Sequence, residues 1–451
     1  MPAAETVRER SHFEQWRRED SARFVFSSRH FDPATGWIEL GYRLDGIELR
    51  ERFRLPPADR SPACPAAIDA ALDLLHWTAG ISYWKAGCPS EIRFEARGPD
   101  RWQAAWLARL YREGLAEFAW RNGLEQAEWA EFPAAADGPA AAVSGPLPRR
   151  SLVPMGGGKD SLVALERLRA QGEEPVTVQV GQAALIRQVA TTADTRHLQV
   201  ERRVDPALAG LNRLGAWNGH VPITAINAAA LVVLALVHGF DRVVFANERS
   251  ADEATLHDEC GRPVNHQFSK SLAFERMLGE WVERCISPDL AVFSLLRRDR
   301  ELAVCREFAG LVRYHDVFSS CNRNFHLDGA RTKRWCGQCP KCHFVFLALA
   351  PFMPPDALAG IFGTNLLDDE GQLGGFRALL AIDGAKPFEC VGEADEARSA
   401  LLALADDPRW RDCRVVARLS PLLAGLDVPA IEDLCRPGRV HRIPDDLLTD
   451  A

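Results

Sequence analysis

No stretch of the 451-residue chain stays apolar for the roughly 20 residues that a membrane-spanning helix needs. The most hydrophobic run, 228–237, stops at His238-Gly239-Phe240-Asp241 and reads as a buried helix, so no membrane role is expected. Residues 1–20 are rich in Arg and Glu and lack the apolar core of a signal peptide, which points to the cytoplasm. An excess of positive charge is also missing. The 54 basic against 62 acidic side chains give a formal charge of −8, which opposes broad salt-driven contact with nucleic acid phosphates, and no nucleic-acid partner is expected. The 12 cysteines lack the dense spacing of a disulfide scaffold and are scattered except for Cys336, Cys339 and Cys342. No internal repeat is visible. What remains, 47% hydrophobic and 26% charged residues, is ordinary for a soluble globular chain of roughly two to four domains.

Residues 24–56 alternate apolar and polar positions around Asp32-Pro33 and Thr35-Gly36, which predicts antiparallel hairpins. Helical spacing follows over 66–77 and 102–121, giving a Trp-rich α+β domain, 1–147, that closes in an Ala/Pro/Gly-rich linker. Strand and helix then alternate: strands at 151–155, 175–180 and 242–246, helices at 161–170 and 223–237. Apolar strands separated by helices argue for an α/β fold with a covered parallel sheet over 148–350. A helical region, 351–451, ends the chain, with 371–375 expected as a loop and 394–405 as a helix.

The first strand-to-helix junction reads Met155-Gly156-Gly157-Gly158-Lys159-Asp160-Ser161. Glycines let backbone N–H groups approach an anion, and the following helix N-terminus adds partial positive charge. A Walker loop would need glycine where Val153 sits and Ser or Thr where Asp160 sits; the dinucleotide fingerprint would need glycine at Ser161. The junction instead resembles the Ser-Gly-Gly-x-Asp-Ser loop of the N-type ATP pyrophosphatases, with Met155 in place of the usual Ser. That resemblance implies a parallel-sheet ATP-pyrophosphatase (HUP-like) core that cleaves ATP between the α and β phosphates while adenylating a substrate. In the implied site, Gly156, Gly157, Gly158 and Ser161 hold the pyrophosphate, Lys159 offsets charge, and Asp160 assists Mg²⁺.

Cys336-Gly337-Gln338-Cys339-Pro340-Lys341-Cys342, with Cys321 upstream, offers four thiolates. Four sulfurs satisfy tetrahedral Zn²⁺ and leave no open position, so a structural role is expected. A phosphate loop followed by such a knuckle also resembles the 7-cyano-7-deazaguanine synthases, which amidate an activated carboxylate.

Three polar segments, 218–227, 247–253 and 265–272, lie between the landmarks, and the second leaves the carboxyl end of a strand, where α/β sheets bind ligands. Together with 334–342 and 386–392 they carry a more specific resemblance, to the ATP-dependent UDP-N-acetylmuramoyl-L-alanyl-L-glutamate epimerases (MurL). That family inverts the terminal L-glutamate of a cell-wall precursor, consuming ATP to AMP and pyrophosphate, so a UDP-linked muramoyl dipeptide is the implied substrate.

Inversion needs a base on one face of the carbon and an acid on the other, or one group that shuttles. His220 and His266 lead because imidazole titrates near neutral pH; Glu248, Glu253, His257 and Lys270 are rivals, and Cys260 is a weaker one lacking a paired thiol. Arg249, Lys270, Arg323 and Lys333 suit the anionic substrate, and Asn322 and Arg323 gain a fixed position from neighbouring Cys321. In the N-terminal domain Trp77 and Trp84 suit either stacking on uracil or, preferentially, core packing.

Overall fold

The computed structural model describes residues 13–58, 64–125, 129–135, 142–325, 334–382, 384 and 386–448. Strands β1 (Arg23–Asp32), β2 (Trp37–Leu44) and β3 (Ile47–Arg54) form the expected hairpins, with positive φ at Gly36 in one turn and at Asp45 and Gly46 in the other. Burial in β3 alternates residue by residue from Ile47 to Arg54, the signature of a sheet with one face on the core. Strand β4 (Glu91–Phe94) pairs parallel to β1. The 102–121 helical pattern is interrupted at Leu115 into Arg101–Gly114 and Ala116–Asn122, the first capped by a reciprocal Asp100–Gln103 box. Trp77 and Trp84 are each 1% exposed, Trp77 against Phe94 and Trp281 and Trp84 against Tyr111, so both serve the core.

The second half supplies β5 (Ser151–Pro154), β6 (Val176–Val180), β7 (His197–Arg203), β8 (Arg242–Phe245), a short hairpin of β9 (Leu256–His257) and β10 (Pro263–Val264), and β11 (Ala291–Ser294). The parallel strands lie in the order β11-β8-β5-β6-β7. The chain therefore winds outward from β5 in one direction and then returns to build β8 and β11 on its other side. That reversal leaves a crevice between the carboxyl ends of β5 and β8. The α/β expectation with a parallel sheet thus holds, and the sheet is larger than expected: β7 also pairs antiparallel with β3, Arg52 opposite Arg203 and Arg54 opposite Glu201, so all nine strands are continuous.

Successive residues of the central strands point to opposite faces. Leu152, Val243 and Val292 enter one hydrophobic cluster with Tyr42, Trp77, Trp281 and the Ile223–His238 helix; Val153, Val244 and Phe293 enter the other with Leu162, Phe346 and Trp410. The region beyond Pro351 is helical as expected, including Ala394–Asp406. The expected loop at 371–375 is corrected: Glu370–Gln372 form a 3-10 turn and Leu373–Leu379 a helix. Gly375 is required there by contact, since a Cβ would lie 2.2 Å from the His343 ring.

Candidate active site

Backbone pairing carries β5 into the glycine loop, the Met155 N–H donating to the Val178 carbonyl at 2.7 Å. Gly157 turns the chain at φ 82°, and Gly158, extended, begins the Lys159–Ala170 helix. A Cβ on Gly157 would lie 2.6 Å from Leu185 and one on Gly158 2.6 Å from the Ser320 hydroxyl, whereas at Gly156 it would meet nothing within 4 Å among the described residues. The loop is thus braced on one side and open on the other. The helix has no side-chain cap among the described residues, so its first N–H groups remain available to an anion. They face a cleft of about 500 Å³ lined by Gly156, Gly158, Asp160, Ser161, Asn247 and Lys270 among others, at the β5–β8 reversal.

Charge is concentrated beneath the floor of this cleft, behind Asp160 and Lys341, which line it. Carboxylate oxygens of Asp160, Glu248 and Glu301 lie within 4.8 Å of one another. Lys159, 1% exposed, donates to both Asp160 and Glu301, and Lys341 approaches Glu301 at 3.4 Å. Burial opposes the charge on Lys159, yet Asp160 and Glu301 hold its pKa well above the ordinary value. Glu301 is likewise held low by Lys159 and Lys341 against its burial, while Glu248 is pushed up by burial and by the Glu301 and Asp160 charges. Three converging hard oxygen donors beside a phosphate-type loop fit Mg²⁺, which would relieve their mutual repulsion.

A second chain of polar groups leads away from the floor. Lys270 Nζ donates to Cys390 Sγ at 3.2 Å, and both side chains line the cleft. Cys390 also interacts electrostatically with His266, whose Nδ1 meets Glu117 in a short contact; the same carboxylate oxygen lies 3.7 Å from His220 Nδ1, and the imidazole centroids are 4.5 Å apart. The environments separate the two histidines. His266, though burial lowers it, is raised to about 9 by Cys390 and Glu117; His220 is lowered to about 4 by burial and by the His266 charge. Such a split gives one protonated and one neutral imidazole at neutral pH, the arrangement that acid–base chemistry requires. Burial raises the Cys390 thiol, but Lys270 and His266 outweigh it and bring it down to about 6.

The expected cysteine cluster forms, with Cys321, Cys336, Cys339 and Cys342 sulfurs within 4.8 Å of one another. Three pairs lie at 3.4, 3.7 and 4.0 Å. Tetrahedral Zn²⁺ with sulfur ligands at about 2.3 Å demands sulfur separations of about 3.8 Å, so the cluster is able to hold zinc. Gly337 makes the knuckle turn at φ 71°, and Pro340 starts the helix that carries Cys342. The knuckle is tied to the glycine loop: the Ser319 N–H donates to the Gly157 carbonyl at 2.9 Å, while the Ser319 hydroxyl meets the Arg334 carbonyl and the Cys321 N–H. Lys341, between two sulfur ligands, is the lysine that reaches Glu301.

His220, His266, Glu248, Lys270 and the loop residues are therefore brought to one region. Asn322 lines the cleft and donates to Glu389; Arg323 is exposed and reaches Gln338 at 3.4 Å. Arg249 turns instead toward Gly438, whose added Cβ would lie 2.5 Å from the guanidinium. Glu253 pairs with Lys386, and His257 and Cys260 are exposed on the β9–β10 hairpin. Lys333 lies outside the described residues. Sequence reasoning missed Glu117, Glu301, Lys341 and Cys390 as site residues. The usable signals were faint: Lys341 inside the cysteine motif, and Cys390 inside the 386–392 segment.

The structure is that of an α/β protein whose parallel-strand order reverses at a glycine loop, beside a carboxylate cluster and within reach, through Lys270 and Cys390, of a paired imidazole site. Residues 15–295 match the model of the MurL N-terminal domain and 317–431 that of the MurL C-terminal domain. The UDP-N-acetyl-alpha-D-muramoyl-L-alanyl-L-glutamate epimerase of Xanthomonas oryzae pv. oryzae (strain MAFF 311018) is 47% identical over 432 residues, covering 94% of this chain and 95% of the relative. Proteins of the same name from Micromonospora sp. (strain ATCC 39149 / NRRL 15099 / SCC 1413) and Salinispora tropica (strain ATCC BAA-916 / DSM 44818 / JCM 13857 / NBRC 105044 / CNB-440) are each 41% identical, over 96% and 90% of this chain and 97% and 89% of theirs. The chain belongs to the MurL family.

Proposed function

We propose that this chain is an isomerase that inverts the terminal L-glutamate of UDP-N-acetylmuramoyl-L-alanyl-L-glutamate, using ATP and Mg²⁺ and releasing AMP and pyrophosphate, in cytoplasmic peptidoglycan precursor synthesis. The substrate is taken from the relatives' names. One observation carries the use of ATP: the glycine loop and Asp160, whose carboxylate converges with those of buried Glu248 and Glu301, line the same cleft as Lys270 and Cys390, which lead to the histidine pair. The β11-β8-β5-β6-β7 order, with its loop at the reversal, also suits an ATP-pyrophosphatase (HUP-like) core. No helix among the described residues is long and apolar enough to cross a membrane.

The chemistry explains why epimerisation would need ATP. Removing the α-proton beside a carboxylate places two negative charges on adjacent atoms. Adenylation neutralises one of them: a carboxylate oxygen attacks the α-phosphorus, the bond to the bridging oxygen breaks, and pyrophosphate leaves. In this reading the Gly157 and Gly158 amides and the Ser161 hydroxyl bind its oxygens, while Lys159 and Lys341 balance the negative charge. Mg²⁺, held by Asp160, Glu248 and Glu301, would neutralise phosphate charge. The acyl carbonyl then accepts the electron pair left on Cα. The protonated and neutral members of the His266–His220 pair supply acid–base capacity, and water finally cleaves the mixed anhydride to release AMP. In this reading Asn322, which lines the cleft, and the adjacent, exposed Arg323 contact the anionic substrate, whereas Arg249 is turned toward Gly438 and takes no direct part. Cys321, Cys336, Cys339 and Cys342 would hold Zn²⁺ in a structural role, which would fix segment 319–321 against the loop.

Incubation with ATP, Mg²⁺ and the UDP-linked L-Ala-L-Glu precursor in D₂O is expected to give D-glutamate deuterated at Cα, together with AMP and pyrophosphate. Pyrophosphate without Cα deuterium would contradict the epimerase reading, and an amide formed with added ammonia would favour a deazaguanine-synthase-like ligase.

A further inference from the structure

Cys390 has surroundings that a packing cysteine does not require. It is separate from the zinc-type knuckle, whose four sulfurs form their own cluster. It lines the same cleft as Gly156, Asp160 and Ser161. Two cationic side chains act on its sulfur: the Lys270 ammonium, donating at 3.2 Å, and the neighbouring His266 imidazolium. Lys341 adds positive potential, and the neighbouring Glu389 carboxylate opposes it. Positive surroundings and partial access are what make a cysteine a thiolate able to accept protons.

Building on the epimerase reading above, we propose that Cys390 is a catalytic proton-transfer residue, its thiolate removing the glutamyl α-proton while the His266–His220 pair returns a proton to the opposite face. The balance closes without an external reagent. The Cα–H bond breaks, its proton forms the Cys390 S–H bond, and its electron pair enters the acyl carbonyl. His266 passes its proton along the shared Glu117 carboxylate to His220, which delivers it to Cα. The Cys390 S–H proton then passes to the neighbouring, now neutral His266 ring, restoring thiolate and imidazolium. Lys270 acts as a positioning residue that favours the charged sulfur, and Glu117 orients both rings.

Cys390→Ser and Cys390→Ala separate activation from inversion. Both variants should still release pyrophosphate within about tenfold of the parent rate. Their D-glutamate formation and Cα deuteration should fall at least about a hundredfold. Epimerisation within about threefold of the parent would overturn the proposal. So would an acyl group found by mass spectrometry on the Cys390 peptide of the quenched parent enzyme, which would make the sulfur a nucleophile instead.

Labelling gives a readout that does not depend on turnover. Iodoacetamide at pH 7 should modify Cys390 faster than the exposed Cys260, and ATP with the UDP-dipeptide should protect it. Lys270→Met should slow Cys390 labelling at that pH about tenfold and move its pH profile upward. Labelling no faster than at Cys260 would overturn the thiolate. A parent enzyme that forms no D-glutamate would defeat the functional reading itself, while the labelling rates would still judge the sulfur.

Discussion

The two ends of the nine-stranded sheet treat buried charge in opposite ways. Around β1–β3 and at the β3–β7 seam, buried carboxylates sit against guanidinium groups: Glu51 against Arg202 at 2.5 Å, and Asp73 against Arg29 at 2.6 Å, which also holds the exposed Asp69 at 2.7 Å. Beside the glycine loop the buried carboxylates face lysines instead. Lys159 is shared by Asp160 and Glu301, Glu301 is shared by Lys159 and Lys341, and Glu248 is pushed toward its neutral form. A closed pair spends its field on its partner and holds the fold together. A shared cluster keeps its field directed at whatever enters the cleft, and the shifts of Glu248 and Glu301 follow from neighbouring charges as well as from burial.

This contrast is broken most directly at the cleft. Asp160→Ala should lower AMP and pyrophosphate formation by about a thousandfold or more while the circular dichroism spectrum stays unchanged. Retained nucleotide cleavage would remove the glycine loop from its assigned role. His266→Gln should next reduce epimerisation by about 10²–10⁴-fold with smaller loss of pyrophosphate release. In the parent, epimerisation should fall as pH rises through about 9, where His266 loses its proton, and as it drops first through about 6, where the Cys390 thiolate gains one, and then through about 4, where His220 does.

The same pair carries a stability signature. The folded pKa of His266 lies above its ordinary value, so its stabilisation is complete below about 6.5 and is lost as pH climbs through about 9. Glu117→Gln should flatten the fall of melting temperature across that window, a change worth at most about 3 kcal/mol. A parallel fall in both proteins would place the titration elsewhere.

Effects on turnover should be weaker for the supports. Chelation of zinc, or Cys339→Ser, should lower the melting temperature by several degrees and raise KM for ATP more than it lowers kcat, because segment 319–321 would no longer brace Gly157. Smallest for catalysis is Arg202→Ala at the paired end of the sheet. It should cost about 3–5 kcal/mol of stability, measured by urea unfolding, while kcat per folded molecule stays unchanged. A large kcat loss there would erase the distinction between the two ends.

What the sequence made legible was contiguous. The glycine loop is seven adjacent residues at a strand–helix junction, and three knuckle sulfurs lie within seven positions, so local spacing carried the chemistry. His220 and His266 could be nominated by residue type, but not brought together. Glu117 meets His266 across 149 residues and Lys159 meets Glu301 across 142; such convergence is set by sheet winding and leaves no local pattern. β7 was missed because His197–Arg203 is charged toward its end and buries only alternate residues in part. Its union with β3 was invisible for a further reason: edge pairing is made by backbone groups, which every sequence possesses.

That union has a practical corollary for dissecting the chain. Antiparallel register between Arg52–Arg54 and Glu201–Arg203 means that severing the polypeptide in the Pro-rich stretch near residue 145 leaves the two pieces clasped, as in a split reporter. Producing either piece by itself instead bares a ribbon of unsatisfied amides and carbonyls, a template for polymerisation.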